Sequence, residues 1–325
     1  MNHRNFTRRT LVRAAALAAT IPLMAVAQDG RSIEWVVGYA AGGGSDVLAR
    51  TVADAMSKSL GQAIVINNKP GAATNIAAGY VANSKDFGHV MLTADFATLA
   101  VNPWLFSKLP YDPQKDFTPV GMLARFPLLL VVAPNVPAAN LKEFIAWAKT
   151  ANGAVTYGSA GVGSPHHLAG ELFRERSGLN LQHAPYRGAA PAVQDLMGGQ
   201  IPFAFIDTAS VQQYVASGKL RALGVASPAR LDTMPDVPTI SEQGIKDFTA
   251  YAWQGLVVPS GTSPEVVAKL AKSLQAALGS TQVKARFQAL ALEALPGTPQ
   301  QMTSYVNEER ERWGKVIKAN NIRLD

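Results

Sequence analysis

The sequence predicts an α/β protein of two lobes with a ligand cleft between them. Three observations carry that expectation. Strand-like and helix-like runs alternate along the chain. Two glycine-rich loops, Gly42-Gly43-Gly44-Ser45-Asp46 and Gly158-Ser159-Ala160-Gly161-Val162-Gly163-Ser164, each lead from a strand-like run into a helix-like run. Two apolar runs, residues 128–133 and 256–258, are placed to cross between halves of a fold. A discontinuous first lobe (28–128 with 253–325) would then wrap around a second (129–252).

The elements follow in order. Residues 33–39 read as a buried strand, 46–60 as a helix closed by Gly61, and 63–67 as a second strand. Asn67-Asn68-Lys69-Pro70-Gly71 is a turn, followed by a short helix over 76–82 and a strand over 90–93. The strand at 128–133 stops at Pro134, and Asn140 with Glu143 three positions on marks the start of a helix over 141–149. After a strand at 155–157 and the second loop, Ser164-Pro165 supplies an N-cap and a first-turn proline for a helix to about 177. Helices at 191–197 and 211–217 alternate with strands at 203–206 and 220–225, and residues 256–258 form a strand ended by Pro259. Ser263-Pro264-Glu265 opens a helix to about 278, and Thr298-Pro299-Gln300-Gln301 is a capping box that opens the last one, to about 319.

Composition excludes several functions. At 325 residues, 48% hydrophobic and 16% charged, the chain is globular. Its formal charge is +7, but Arg4, Arg8, Arg9 and Arg13 fall in an acid-free leader of 27 residues, which leaves +3 for the rest. No basic run interleaved with aromatics points to nucleic acid. The absence of cysteine removes disulfides, thiol catalysis and cysteine-based metal sites. Residues 1–27 read as an export signal. Arg8-Arg9 precede an apolar stretch that ends in Ala25-Val26-Ala27, twin-arginine-like, with general secretory export as the alternative. A soluble periplasmic protein is expected.

The two loops fit neither nucleotide motif. Val47 stands where a dinucleotide fingerprint needs its third glycine, and Ser164 where a phosphate loop needs lysine. A glycine-rich helix entry does let an anion approach unpaired backbone N–H groups at the positive end of the helix dipole. Two such ends facing one another would clamp a small anion. Against this stands a plain strand-to-helix turn for each loop. No serine lies in a Gly-x-Ser-x-Gly elbow, and His166-His167 point about 100° apart on a helix, so they form no metal pair. No catalytic residue, metal or cofactor is expected. His167 faces either the cleft mouth or the packing. Asp46 is either a helix-dipole acid or a loop organiser and ligand acceptor. Asp207, after its strand, is either a ligand residue or a helix cap. Arg187 pairs either with a ligand carboxylate or with an acid across the lobes.

These residues resemble the extracytoplasmic solute receptors of tripartite tricarboxylate transporters, the Bug family, over nearly the whole mature chain. The likeness rests on Tyr39-Ala40-Ala41-Gly42-Gly43-Gly44-Ser45-Asp46, Asn68-Lys69-Pro70-Gly71-Ala72 and Leu109-Pro110-Tyr111-Asp112-Pro113. It continues through residues 157–164 with His167, Tyr186-Arg187-Gly188, Asp195-Leu196-Met197-Gly198-Gly199-Gln200 and Trp253-Gln254-Gly255-Leu256. The resemblance implies a two-lobed periplasmic binding protein (type II-like), each lobe a mixed sheet flanked by helices, that closes on its ligand like a trap. It implies a small organic mono- or dicarboxylate, aliphatic or aromatic, held largely by backbone N–H groups. It also implies delivery by a monomer to a permease with a large and a small subunit. The implied contacts are Tyr39, Gly43, Gly44, Ser45 and Asp46 from the first loop, and Ser159, Ala160, Gly161, Gly163 and Ser164 from the second, with Asp207 as a further cleft residue. Where family members usually continue the proline–glycine turn with glycines, this chain has Ala73 and Thr74. Ala73, Thr74, Asn75 and the 93–96 segment are therefore candidates for choosing the ligand's far end. Tyr39, Phe96 and Trp253 would either stack on an aromatic ligand or pack the hinge. The rival functions are a ligand sensor for a membrane kinase and, more remotely, a secreted α/β hydrolase.

Overall fold

The computed structural model describes residues 30–324, and every element named here lies within Ser32–Asp325. The expected export signal falls outside the described residues. Strand β1 (Ile33–Val37) leads into α1 (Gly44–Leu60), and β2 (Ile64–Asn68) leads into α2 (Asn75–Ala82). Strand β3 (Val90–Asp95) runs into a π-helical turn (Ala97–Val101) that continues into α3 (Asn102–Leu105). The long β4 (Phe117–Val132) precedes α4 (Leu141–Thr150). Strands β5 (Val155–Ser159), β6 (Leu181–Pro185) and β7 (Phe203–Asp207) alternate with α5 (Pro165–Ser177), α6 (Ala189–Met197) and α7 (Thr208–Ala216). Then come β8 (Arg221–Val225), β9 (Tyr251–Pro259), α8 (Pro264–Gly279), α9 (Thr281–Ala289), the two-residue β10 (Glu293–Ala294) and α10 (Pro299–Ala319).

The strands form a mixed sheet of order β2-β1-β3-β9-β4-β7-β5-β6, in two halves that share β4. In the first half β1, β2 and β3 are parallel, and β9 lies antiparallel between β3 and β4. Up to Pro127, β4 pairs with β9; from Leu128 onward it pairs with β7 on one side and β8 on the other. In the second half β5 runs parallel to both β6 and β7. The carboxyl ends of β5, β6 and β7 therefore share one edge, where α5, α6 and α7 begin. Loops at the carboxyl ends of parallel strands are where α/β folds place ligands.

The expected strand at 128–133 is the second half of a 16-residue strand. Pro119 and Pro127 break its pattern. The register against β9 shifts twice, between Pro119 and Gly121 and between Met122 and Ala124, and these irregularities absorb the extra residues. The helix expected at 211–217 starts at Thr208, because Asp207 caps it by accepting from the Ser210 N–H at 3.0 Å. The helix expected at 191–197 starts at Ala189, after Gly188.

Two cores hold the halves. On β1, Ile33, Trp35 and Val37 face one core and Val36 the other, as a pleat with period two requires. Leu48, Val52 and Met56 of α1 meet Leu270, Leu274 and Leu278 of α8 in the smaller core. Each fully buried side chain of this kind contributes about 1.5–3 kcal/mol. In the larger core, residues 128–133 are all buried, which is why that stretch reads as continuously apolar.

Candidate functional site

The first loop is organised by one carboxylate. Gly42 turns the chain at φ +82, and Gly43, in extended conformation, caps α1 without a side chain. The first-turn N–H groups of α1 are thus uncapped by any side chain. Asp46 is buried. Its Oδ2 accepts from the Gly42 N–H and from Arg50 Nε, both at 2.9 Å, and its Oδ1 accepts from Asn68 Nδ2 at 3.1 Å. Burial alone would raise its pKa, but the bonds from Arg50, Gly42 and Asn68 outweigh that and hold it below the usual carboxylate value. The Ser45 hydroxyl accepts from Gln254 Nε2 of β9. An Asp46→Ala variant is expected to lose about 1–3 kcal/mol, the cost of unpaired buried donors. It should also bind its ligand more weakly, because Gly42 and Asn68 lose their shared anchor. A thermal melt and a ligand titration check both.

Tyr39 projects from the same loop and is 37% exposed, but its hydroxyl donates to Asp95 at the end of β3. Burial of the phenol oxygen, then the charge and hydrogen bond of Asp95, then the charge of Asp207 push its pKa well above the ordinary value. Asp95 Oδ1 accepts from the Thr98 N–H at 2.9 Å and the Thr98 hydroxyl at 2.7 Å. Thr98 meets the Thr74 hydroxyl at 2.8 Å. Thr74 and Asn75 are both buried. Asn75 Oδ1 accepts from Asn102 Nδ2 at 2.7 Å and the Tyr111 hydroxyl at 3.1 Å. The extra hydroxyl at Thr74 is thus bonded inside the first half.

Residues 71–74 carry backbone strain. Ala72, Ala73 and Thr74 have φ of +47, +50 and +72. Each such non-glycine residue costs about 1–2 kcal/mol. Bonds hold the turn, including Asn102 Nδ2 to the Ala73 carbonyl at 2.8 Å. Glycine at position 73 relieves the strain, so Ala73→Gly is expected to melt a few degrees higher, about 2 °C for each kcal/mol relieved in a chain of this size. An unchanged or lower melting temperature would count against the strain.

The second loop is organised by histidines. Ser159 Oγ lies 2.6 Å from His183 Nε2 and accepts from the Gly161 N–H at 3.0 Å. Gly161 and Gly163 have φ of +128 and +76, and Ala160 between the loop's bends accepts from the Gly188 N–H at 3.2 Å. That bond seats the start of α6, which also has a glycine cap and no side-chain cap, beside the loop. Ser164 caps α5 by accepting from the His167 N–H at 3.2 Å. His167 does not present itself to the cleft mouth. It is buried, its Nδ1 accepts from the Gly163 N–H at 3.0 Å, and its ring stacks on His183 with centroids 3.8 Å apart. Desolvation, then the neighbouring His183 and Arg174, lower its pKa to about 3; desolvation lowers that of His183 to about 4.

Asp207 is buried at the cap of α7, where Ser210 donates to it twice, from its N–H at 3.0 Å and from its hydroxyl at 2.9 Å. His166 Nε2 lies 3.2 Å from Asp207 Oδ2. Burial would raise the Asp207 pKa, and His166 and Ser210 together bring it below the usual value.

Each loop abuts a helix of the opposite half of the sheet. A Cβ built on Gly44 would lie 3.5 Å from the Phe126 ring and 4.0 Å from Ala209 of α7. One built on Gly163 would lie 2.1 Å from Leu105 of α3. Phe96 and Trp253, candidates for stacking on a ligand, are instead fully buried and pack edge-to-face at 6.0 Å. Arg187 is exposed. Sequence reasoning missed Arg50, Asn68, His183 and Gln254 as supports and left Asp95 unsingled within its 93–96 segment. The signal for Asp95 was its place at a strand's carboxyl end. A cavity of about 590 Å³ between α5, the 247–249 segment and α10 shares no residue with either loop.

This is the mixed α/β architecture of periplasmic solute-binding proteins. The chain matches the model of the tripartite tricarboxylate transporter receptor family over residues 48–322, and it belongs to that family. It is 34% identical to Protein BugT of Bordetella pertussis over 314 residues, 96% of either chain. Among solved structures it is similar to R. palustris Rpa4515 with adipate, at 33% identity and a TM-score of 0.86, covering 91% of this chain and 99% of that one. It is also similar to the periplasmic binding protein BugD, at 33% identity and a TM-score of 0.83, covering 90% and 99%. Among the described residues, no helix is long and apolar enough to cross a membrane.

Proposed function

We propose that this protein is a non-catalytic periplasmic receptor that captures a small organic mono- or dicarboxylate, aliphatic or aromatic, and delivers it as a monomer to a membrane permease with a large and a small subunit. The observation that carries the reading is the pair of glycine-capped helix starts, α1 and α6, beside two glycine loops that hold no lysine or arginine, with exposed Arg187 immediately before the α6 cap. Backbone N–H groups are then the donors for a carboxylate, each bond contributing about 1.5–3 kcal/mol. The ligand contacts of this reading are Tyr39, Gly43, Gly44 and Ser45 opposite Ser159, Ala160, Gly161, Gly163 and Ser164, with Asp46, Thr74, Asn75, His167 and Asp207 shaping the walls. The adipate bound by the R. palustris relative supports a carboxylate of this size. Lobes of 28–128 with 253–325 and of 129–252 fit the change of partners along β4 at Pro127 and Leu128. They also fit the return crossing, where Ala250 still bonds Ala226 and Tyr251 already pairs with Pro127.

A thermal-shift screen of carboxylates against their amides tests the reading. An acid at 100 times its dissociation constant adds about 2.7 kcal/mol. A shift with an acid and none with its amide is expected; no shift with any carboxylate would overturn the ligand class.

A further inference from the structure

We propose that His166 is a ligand-contacting residue whose imidazole takes one carboxylate of the bound acid while Asp207 orients it. This rests on the carboxylate-receptor reading above and adds a side-chain contact to the backbone donors of the two loops.

The second lobe contains three histidines, and two of them are committed. His167 accepts from the Gly163 N–H, and His183 bonds Ser159. His166 differs. Its side chain is only 7% exposed, and neither ring nitrogen has a hydrogen-bond partner in the protein. Buried polar groups are nearly always bonded, and a buried Nδ1 with no partner marks a position that something else fills. His166 is the second residue of α5, immediately after the second glycine loop. Its Nε2 stands 3.2 Å from Asp207 Oδ2, close enough for charge attraction although the ring is not aligned for a straight hydrogen bond. Asp207 in turn caps α7, whose Ala209 lies 4.0 Å from where a Cβ on Gly44 of the opposite half would sit. His166 therefore sits where the two halves converge.

The chemistry of the pair selects the ligand group. A carboxylate accepts and cannot donate, so the ring nitrogen turned to Asp207 carries hydrogen. Nδ1 is then free for the ligand. An imidazolium offers Nδ1–H to an acceptor, whereas a neutral ring offers a lone pair to a donor. The acids near this point are Asp207 and, beyond Tyr39, Asp95. A ligand carboxylate approaching them meets like charge, and a ring N–H turned toward it supplies the donor at that point. The far carboxylate of a diacid fits Nδ1–H, with the near carboxylate on the backbone N–H groups of the loops. A mono-amide that turns its amide oxygen to the same point forfeits the charge.

The test is calorimetric titration of the protein with succinate, malate, glutarate and adipate, and with the mono-amide of each diacid that binds. It is run on wild type and on His166→Gln, with thermal melts to confirm that the variant is folded. Loss of one charge-assisted bond corresponds to about 10- to 150-fold weaker binding. His166→Gln is expected to weaken diacid binding by that range and to shrink the preference for diacid over mono-amide. A diacid that binds wild type and His166→Gln equally overturns the role of His166 and leaves the receptor reading standing. No binding of any diacid to wild type overturns the dicarboxylate reading itself, and this proposal with it. If His166→Gln does not fold, ¹⁵N-histidine spectra of wild type decide. The His166 ring nitrogens, identified by their contact with Asp207, should shift when the bound diacid is added; an unmoved ring overturns the proposal.

Discussion

A Glu309→Leu variant is expected to melt roughly 5–10 °C lower than the wild type, and Glu309→Gln to recover most of the loss. Glu309 of α10 is a buried carboxylate whose Oε2 accepts from two indoles, Trp253 Nε1 at 2.9 Å and Trp313 Nε1 at 3.0 Å. Its Oε1 accepts from Arg312 at 3.3 Å. Both tryptophans are fully buried, and Phe96 packs edge-to-face against each, at 6.0 and 5.5 Å. Leucine keeps the volume but leaves two buried N–H donors unpaired, at about 1–3 kcal/mol each. At about 2 °C per kcal/mol for a chain of this size, that gives the expected shift. Glutamine retains an amide oxygen that accepts from at least one indole. A leucine variant that melts within about 2 °C of wild type would show that the indoles find other partners. The effect reaches the site through chain connectivity. Trp253 precedes Gln254, which bonds Ser45, and Phe96 follows Asp95, which bonds Tyr39. The last helix thus braces one wall of the cleft, and the leucine variant should also lose ligand affinity in a titration.

The legibility of this fold tracks how local each signal is. The glycine loops were readable because φ values of +82 at Gly42 and +128 at Gly161 are conformations that few other residues adopt. The N-cap at Asn140 and the capping box at Thr298 were readable because their partners lie three residues away. Strand β4 was only half legible, since its prolines are tolerated through register shifts against a strand more than a hundred residues downstream. Strand β6 was missed because Gln182 and Pro185 are exposed and only Leu181 is deeply buried. Helix α9 was missed because it buries little beyond Val283 and Phe287. At the site, residue types were legible and orientations were not. Whether Thr74 faces a ligand or Thr98, and which of two adjacent histidines is committed, depends on contacts 20 or more residues away for Thr74 and Asp207. Such contacts leave no mark in a single sequence.

The stability of the protein is expected to fall steeply on mild acidification. His167 and His183 stack face to face at 3.8 Å, with Tyr157 against His183 at 5.1 Å. Desolvation, above all, lowers their folded-state pKa values to about 3 and about 4. In the unfolded chain both return to about 6.5. Between these values the unfolded state binds more protons than the folded state, so acid favours unfolding. The stabilisation is complete above pH 6.5 and drains as the pH falls toward 4. At about 1.4 kcal/mol per unit, His167 alone removes about 2 kcal/mol by pH 5, and half-buried His183 adds a smaller, screened share. Asp46 and Asp207 act in a separate window. Their folded pKa values are lowered, so their contribution is present above the ordinary carboxylate pKa and is lost only below it. Urea unfolding at pH 7.5, 6.0 and 5.0 separates the two, because a loss already evident at pH 6.0 and 5.0 belongs to the histidines. A His183→Gln variant, which keeps a partner for Ser159 and cannot ionise, should remove the smaller part of that slope and leave the part that belongs to His167. Equal stability at pH 7.5 and 5.0 would mean that protonation opens the stack without cost. The histidines also order Ser159 and Gly163, so the same protons that weaken the fold should loosen the second loop and release the ligand over the same range.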